Sequence, residues 1–345
     1  MKPYATRIFW GVYVVLFFFM AAVGGVGLWY KFHVVPRLEY TFSQSTSAPA
    51  KLVGVWMDHA WVDGEKTDAE IRSMYDQLRR SGVTDAYFHV GPLDHDGALP
   101  PTKYNDAARL LRLGREEYPT LRVWAWVGQV TTLWGGGLDL TSKATQETIV
   151  RDVMRALDLD FYGVHLNIEP VLSGDDQFLA LLSSLSDGIG DTGKGISVAA
   201  DDLEPFFGAG YLVRQCCGQV TFWTPAYLAK VLGFVDQVVV MTYDSQLKDP
   251  FLYSWYVSME TRRLLSLLPQ GKEILVGIPS FETGNRYFDP KTENIISGLR
   301  GVLDGLDTSH LEGKNDRFGI AIYAYWETSQ DEWKILRDHW RVKDN

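Results

Sequence analysis

The run Phe161–Glu169, FYGVHLNIE, decides how the chain is built. Side chains on a β-strand alternate between two faces. Gly163, His165, Asn167 and Glu169 therefore share one face, and Val164, Leu166 and Ile168 share the other. The apolar face belongs under covering helices. The polar face then points into the space the sheet encloses, climbing from His165 to a glutamic acid at the strand end. Three inward polar residues cost desolvation unless they serve one another or a ligand.

Similar segments recur on both sides of this run. Strands are predicted at 51–57, 85–90, 121–127, 161–169, 195–200, 236–243, 273–279 and 318–326. Amphipathic helices fall between them, at about 104–117, 143–158, 175–187, 252–268, 291–306 and 329–340, with a shorter one near 225–233. The clearest is 67–81, where Thr67 and Glu70 form a capping box and Ile71, Met74, Tyr75 and Leu78 make the buried stripe. Eightfold βα alternation calls for a parallel sheet, open and doubly wound or closed. No GxGxxG follows the first strand, which removes the usual reason for the open, dinucleotide-binding form. The Gly135-Gly136-Gly137 run lacks the Lys-Ser/Thr of a phosphate cradle. The stretch from Lys51 to Asn345 fits a (β/α)8 TIM barrel with modest insertions.

In such barrels the chemistry sits at the carboxyl ends of the strands. Those ends carry Asp58 and His59, His89, Gln129, then His165, Asn167 and Glu169. Asp201, Asp202 and Glu204 follow strand five, Tyr243 and Asp244 strand six, Glu282 strand seven, and Trp326 and Glu327 strand eight. Trp56 and Met241, just inside the strand ends, join the candidate lining. Carboxylates, amides and aromatic rings dominate, a set suited to sugars. No cofactor or metal motif stands out. Asp58, His59 and His89 offer a conceivable metal site and Asp201, Asp202 and Glu204 a calcium loop, with ordinary hydrogen bonding and a solvated loop as the plainer readings.

The run YGVHLNIEP resembles the strand-four signature of glycoside hydrolase family 18, the chitinases and their relatives, which reads DGxDxDxE. Gly163 and Glu169 match; Tyr162, His165 and Asn167 stand where that family has aspartates. TPAYLAKVLGFVDQVVVMTYD (224–244) is similar to its lead into strand six, ILVGIPSF (274–281) to its strand seven, and GIAIYAYWE (319–327) to its tryptophan-bearing strand eight. The likeness spans most of residues 51–340. It implies substrate-assisted hydrolysis with retention: Glu169 as general acid, Asn167 orienting the substrate's N-acetyl group, Tyr243 and Asp244 bonding the acetamido and the distorted sugar, and Trp326 beneath the ring. Asparagine at 167 offers hydrogen bonds but no charge. The Asn-x-Glu arrangement is similar to that of the family 85 endo-β-N-acetylglucosaminidases. His165 is either a neutral core histidine bonded to Asn167 or a tuning residue.

Two other readings stay open. In one, Glu169 and Glu282 form the acid and nucleophile of a two-carboxylate retaining glycosidase, about 5–5.5 Å apart. In the other, the barrel binds glycan without cleaving it.

The rest of the chain concerns location. Residues 8–30, IFWGVYVVLFFFMAAVGGVGLWY, carry no charge and follow Lys2 and Arg7. A helix of this length reaches roughly 35 Å, enough for a bilayer core of about 30 Å. A signal peptide would have a shorter apolar core, about 7–15 residues, so an uncleaved anchor is the preferred reading. Residues 31–50 read as a polar tether and 51–345 as the barrel, placed outside the cytoplasm. The net charge of −10 argues against a nucleic-acid partner, and the 22% charged and 46% hydrophobic content against disorder. The two cysteines, Cys216 and Cys217, are adjacent, so a disulfide between them would be strained.

Overall fold

Among the described residues, eight short strands, rich in β-branched and aromatic residues, alternate with eight helices. The strands are β1 Leu52–Met57, β2 Asp85–His89, β3 Arg122–Val130, β4 Gly163–Glu169, β5 Gly195–Ala200, β6 Gln237–Met241, β7 Glu273–Pro279 and β8 Phe318–Tyr323. The helices are α1 Asp68–Arg80, α2 Ala107–Glu117, α3 Lys143–Leu157, α4 Asp176–Ile189, α5 Pro225–Leu232, α6 Pro250–Leu267, α7 Ile295–Asp307 and α8 Gln330–His339. The strands pair in parallel in sequence order, and β8 returns to β1 to close the predicted barrel. This computed structural model describes residues 52–205, 222–285, 288–307 and 316–340. Among the described residues no helix is long and apolar enough to cross a membrane. The expected span at 8–30, the tether at 31–50 and the cysteine pair lie outside them.

Local sequence explains the helix starts. Thr67 and Glu70 close the expected capping box on α1, and Ser329 and Glu332 close a second on α8. Thr224 caps α5, with Pro225 in the first turn where its missing N–H costs nothing.

Inside the barrel the side chains form layers of different character. At the amino end, Arg122 bonds to Asp85 and to Glu273, each at 2.8 Å. The Trp124 indole donates to Asp85 at 2.7 Å, and the Gln237 amide donates to Glu273 at 2.9 Å. Above this charged floor the core is neutral. The Trp56 indole N–H donates to His165 Nε2 at 3.1 Å, and His165 Nδ1 meets Ser197 Oγ at 2.8 Å. Ser197 and Tyr87 both donate to Gln237 Oε1, at 2.9 and 2.7 Å. An indole can only donate, so His165 carries its proton on Nδ1 and the relay runs one way, from Trp56 to Gln237.

Gly163 and Gly195 make room in this core. A Cβ on Gly163 would sit 2.1 Å from the Gly195 carbonyl oxygen and 2.7 Å from the Trp124 ring. Gly163→Ala is expected to cost about 1–3 kcal/mol through overpacking. A lower denaturant midpoint with an unchanged slope would show it.

Of the strand ends that differ from the sequence expectation, those of β3, β6 and β8 shape the site. β3 continues to Val130 because β4 offers it pairing up to Glu169. β6 stops at Met241 and β8 at Tyr323, so Tyr243 and Trp326 stand in the loops beyond.

Candidate active site

The site is built around the top of β4. Register places Asn167 beside Gly128 and Glu169 beside Val130, one step from the barrel mouth. Burial pushes the Glu169 carboxyl up to about 7; a hydrogen bond from Asn167 opposes the rise and the nearby Asp244 charge adds to it. A carboxylic acid balanced there can give up a proton near neutrality and take one back. Asn167 uses its amide N–H on Glu169, while its Oδ1 is buried without a partner.

Across the mouth stand groups from β6 and β8. The Tyr243 ring stacks on Tyr323 at 5.3 Å and meets Phe281 edge-on at 5.9 Å. Burial and the neighbouring Glu169 and Asp244 carboxylates oppose ionisation of both phenols, which pushes Tyr323 up to about 12 and Tyr243 well above the usual phenol value. Both therefore remain hydrogen-bond donors. Asp244 lies at the rim with φ of +58°, unusual for a residue with a Cβ; the residue as a whole is exposed, while loss of water around its carboxyl raises that group. Its backbone is held by Glu293, which accepts the Asp244 N–H at 2.7 Å.

A third wall comes from the first three strands. The His89 ring lies 4.5 Å from Trp126, and burial, followed by the neighbouring His59 and Lys103, lowers it to about 4. His59 Nδ1 donates to the His89 carbonyl at 3.0 Å, and Asp58 accepts the Ala60 N–H at 2.9 Å, capping a 3-10 turn over His59–Trp61. Trp126 Nε1 is buried with no partner.

The structure thus gathers Asn167, Glu169, Tyr243 and Asp244 at one mouth, with Met241 half-buried on β6 below Tyr243. Other candidates take different positions. Trp56 and His165 are sealed in the core, bonded to each other and below the reach of a ligand. His165 does not bond to Asn167. Gln129 points off the inner face; its amide donates to the Leu93 carbonyl and its oxygen accepts the Val130 N–H at 2.8 Å. Glu282 is exposed on the loop after β7, where its backbone N–H donates to Glu327 at 3.1 Å. The carboxylate that acts on Glu169 is that of Asp244. Asp202 turns outward to accept the Tyr256 hydroxyl, and Glu204 is buried.

Trp326 is the main change in role. It sits in a 3-10 turn past the end of β8, 43% exposed and edge-on to Tyr323 at 5.7 Å. The inward aromatic at the strand end is Tyr323, in phase with Gly319 and Ala321. Trp326 forms the rim rather than the floor. Period-two counting along β8 was the available signal for Tyr323. Trp126 carried a similar signal on β3, and Glu293 carried none.

No protein-family model and no curated protein matches the chain. Solved structures do. A chitinase from Chromobacterium violaceum superposes with a TM-score of 0.56 at 16% identity, covering 84% of this chain and 99% of that one. The spore cortex-lytic enzyme SleL of Bacillus cereus gives 0.57 at 13% identity over 86% and 76% of the two chains. The Group IV chitinase of Ostrinia furnacalis gives 0.56 at 12% identity over 83% and 98%. The chain has the barrel fold of these proteins.

Proposed function

We propose that the protein is a glycoside hydrolase that cleaves a β-linked glycan containing N-acetylhexosamine, with retention, using the substrate's own acetamido group. The observation that carries this reading is a glutamic acid held near pKa 7 at the barrel mouth, hydrogen-bonded by Asn167 and faced by Tyr243, Asp244 and Tyr323. Its likeness in fold to two chitinases and a cortex-lytic enzyme supports the same substrate class.

Protonated Glu169 gives its proton to the glycosidic oxygen as the bond to the anomeric carbon breaks. The acetamido carbonyl oxygen closes on that carbon, forming a cyclic oxazolinium. Glu169, now ionised, takes a proton from water, whose oxygen opens the ring from the face the leaving group left. Two inversions give net retention. The free Asn167 Oδ1 accepts the acetamido N–H, and the un-ionised Tyr243 donates to its carbonyl oxygen. The neutral Asn167 stabilises the oxazolinium by hydrogen bonding, where a carboxylate would add charge.

The two-carboxylate alternative loses support because Glu282 lies on an exposed loop and the neighbouring carboxylate is Asp244. The full chain should be assayed on aryl β-glycosides of N-acetylglucosamine oligomers and of glucose. Turnover confined to the acetamido sugars is expected. Equal turnover of glucosides would restore the two-carboxylate reading, and binding without turnover would make this a glycan-binding barrel. Residues 8–30 anchor the barrel on the extracytoplasmic side of a membrane. The chain is expected to sediment with membranes, and added protease is expected to reach the barrel in intact cells; a soluble chain protected from protease would refute this placement.

A further inference from the structure

Glu293 lies between β7 and α7 and is fully buried. One carboxylate oxygen accepts the Asp244 N–H at 2.7 Å. The other accepts the Ser245 N–H at 3.0 Å and the Ser245 hydroxyl at 2.7 Å. Two successive backbone N–H groups converge on one anion where the chain leaves the extended conformation, and the left-handed Asp244 supplies that bend. A residue with a Cβ is unfavourable in that conformation and keeps it only where its surroundings enforce it.

We propose that Glu293 is a positioning residue: by gripping the backbone after β6, it holds Asp244 where its carboxylate faces Glu169. The catalytic consequence rests on the glycosidase reading above; the grip itself does not. The groups facing Glu293 are Asp244 and Ser245 from the β6 loop and Tyr253 from α6, with Glu169, Tyr243 and Tyr323 beyond Asp244. Burial raises the Glu293 carboxyl to about 7, the bonds from Ser245 and Asp244 oppose this, and the Asp244 charge adds to it. Ionised Glu293 accepts all three bonds, and protonation converts one acceptor into a donor. The grip is therefore complete above about pH 7 and weakens below it. Glu169 works as an acid in its protonated form, which is favoured below about 7. The two together give a bell-shaped rate profile whose acid limb belongs to Glu293.

The test compares full-length wild type with Glu293→Gln and, as a milder variant, Ser245→Ala. Amide hydrogen exchange over residues 242–249 is read without substrate. Exchange at Asp244 and Ser245 is expected to speed up by about tenfold or more in Glu293→Gln and by less in Ser245→Ala. On an aryl β-glycoside of N-acetylglucosamine dimer, kcat of Glu293→Gln should fall roughly 10- to 100-fold with KM nearly unchanged, as misplacement at a site predicts. Its acid limb should also disappear, which a general loss of stability would not cause. Unchanged exchange overturns the proposal, as does faster exchange with kcat and the acid limb intact. If wild type turns over no acetamido glycoside, the glycosidase reading falls, while exchange still decides whether Glu293 holds Asp244.

Discussion

Glu169→Gln is expected to lower kcat on acetamido glycosides by about 10²- to 10⁴-fold, the usual contribution of a positioned general acid. The amide keeps the shape of the side chain and its bond to Asn167, so the fold and glycan binding should survive. Single-turnover assay and ligand titration on the same preparation separate the two effects. The wild-type rate should also decline as pH rises through about 7, where Glu169 loses the proton it must donate. A variant with near wild-type kcat would mean that another group supplies the proton, and the proposed chemistry would have to be withdrawn.

His165→Ala is expected to destabilise the barrel strongly, by about 3 kcal/mol or more. It removes a ring stacked on Tyr87 at 4.1 Å and leaves the buried Trp56 N–H without an acceptor. A core cavity and an unsatisfied donor each carry a cost of this order. The pH dependence gives a second check. Burial lowers the folded pKa of His165 from 6.5 to about 3. The unfolded chain therefore binds a proton there that the folded chain refuses. The contribution of His165 is complete above about pH 6.5 and is lost as pH falls toward 3. The raised carboxylates Glu169 and Glu293 act in the opposite sense, so the difference between wild type and His165→Ala is what isolates the histidine. Denaturant titrations at several pH values should show that difference shrinking as the solution becomes more acidic.

The barrel was legible because its signals are local. Each strand is a short run of Val, Ile, Trp or Tyr, and the best helix starts are capping boxes contained within four residues. The polar ladder on β4 was legible for the same reason, since period two is a property of neighbours. Contacts between distant segments were not. His165 meets Trp56 across 109 residues of chain, and its polar neighbour Asn167, two residues away, turned out not to be its partner. Glu293 acts on backbone N–H groups 48 and 49 residues earlier, which no side-chain pattern records. Trp326 misled because a tryptophan near a strand end attracts the role of floor. The strand ends at Tyr323, which takes the inward position, and Trp326 falls inside the 3-10 helix Tyr325–Glu327 that follows.

The indoles of Trp56 and Trp124, together with Tyr87 and Trp126, fill the axis of the barrel beneath the mouth. With the axis filled, the glycan polymer proposed above would have no way through and would lie as a cord over a closed drum, entering and leaving along the same rim. The half-exposed indoles of Trp134, after β3, and Trp326, after β8, lie in 3-10 turns beyond the strand ends, where they would serve such a cord as two separate rests. Lengthening or shortening the loops that carry them would change how much of the cord is supported, without disturbing the drum.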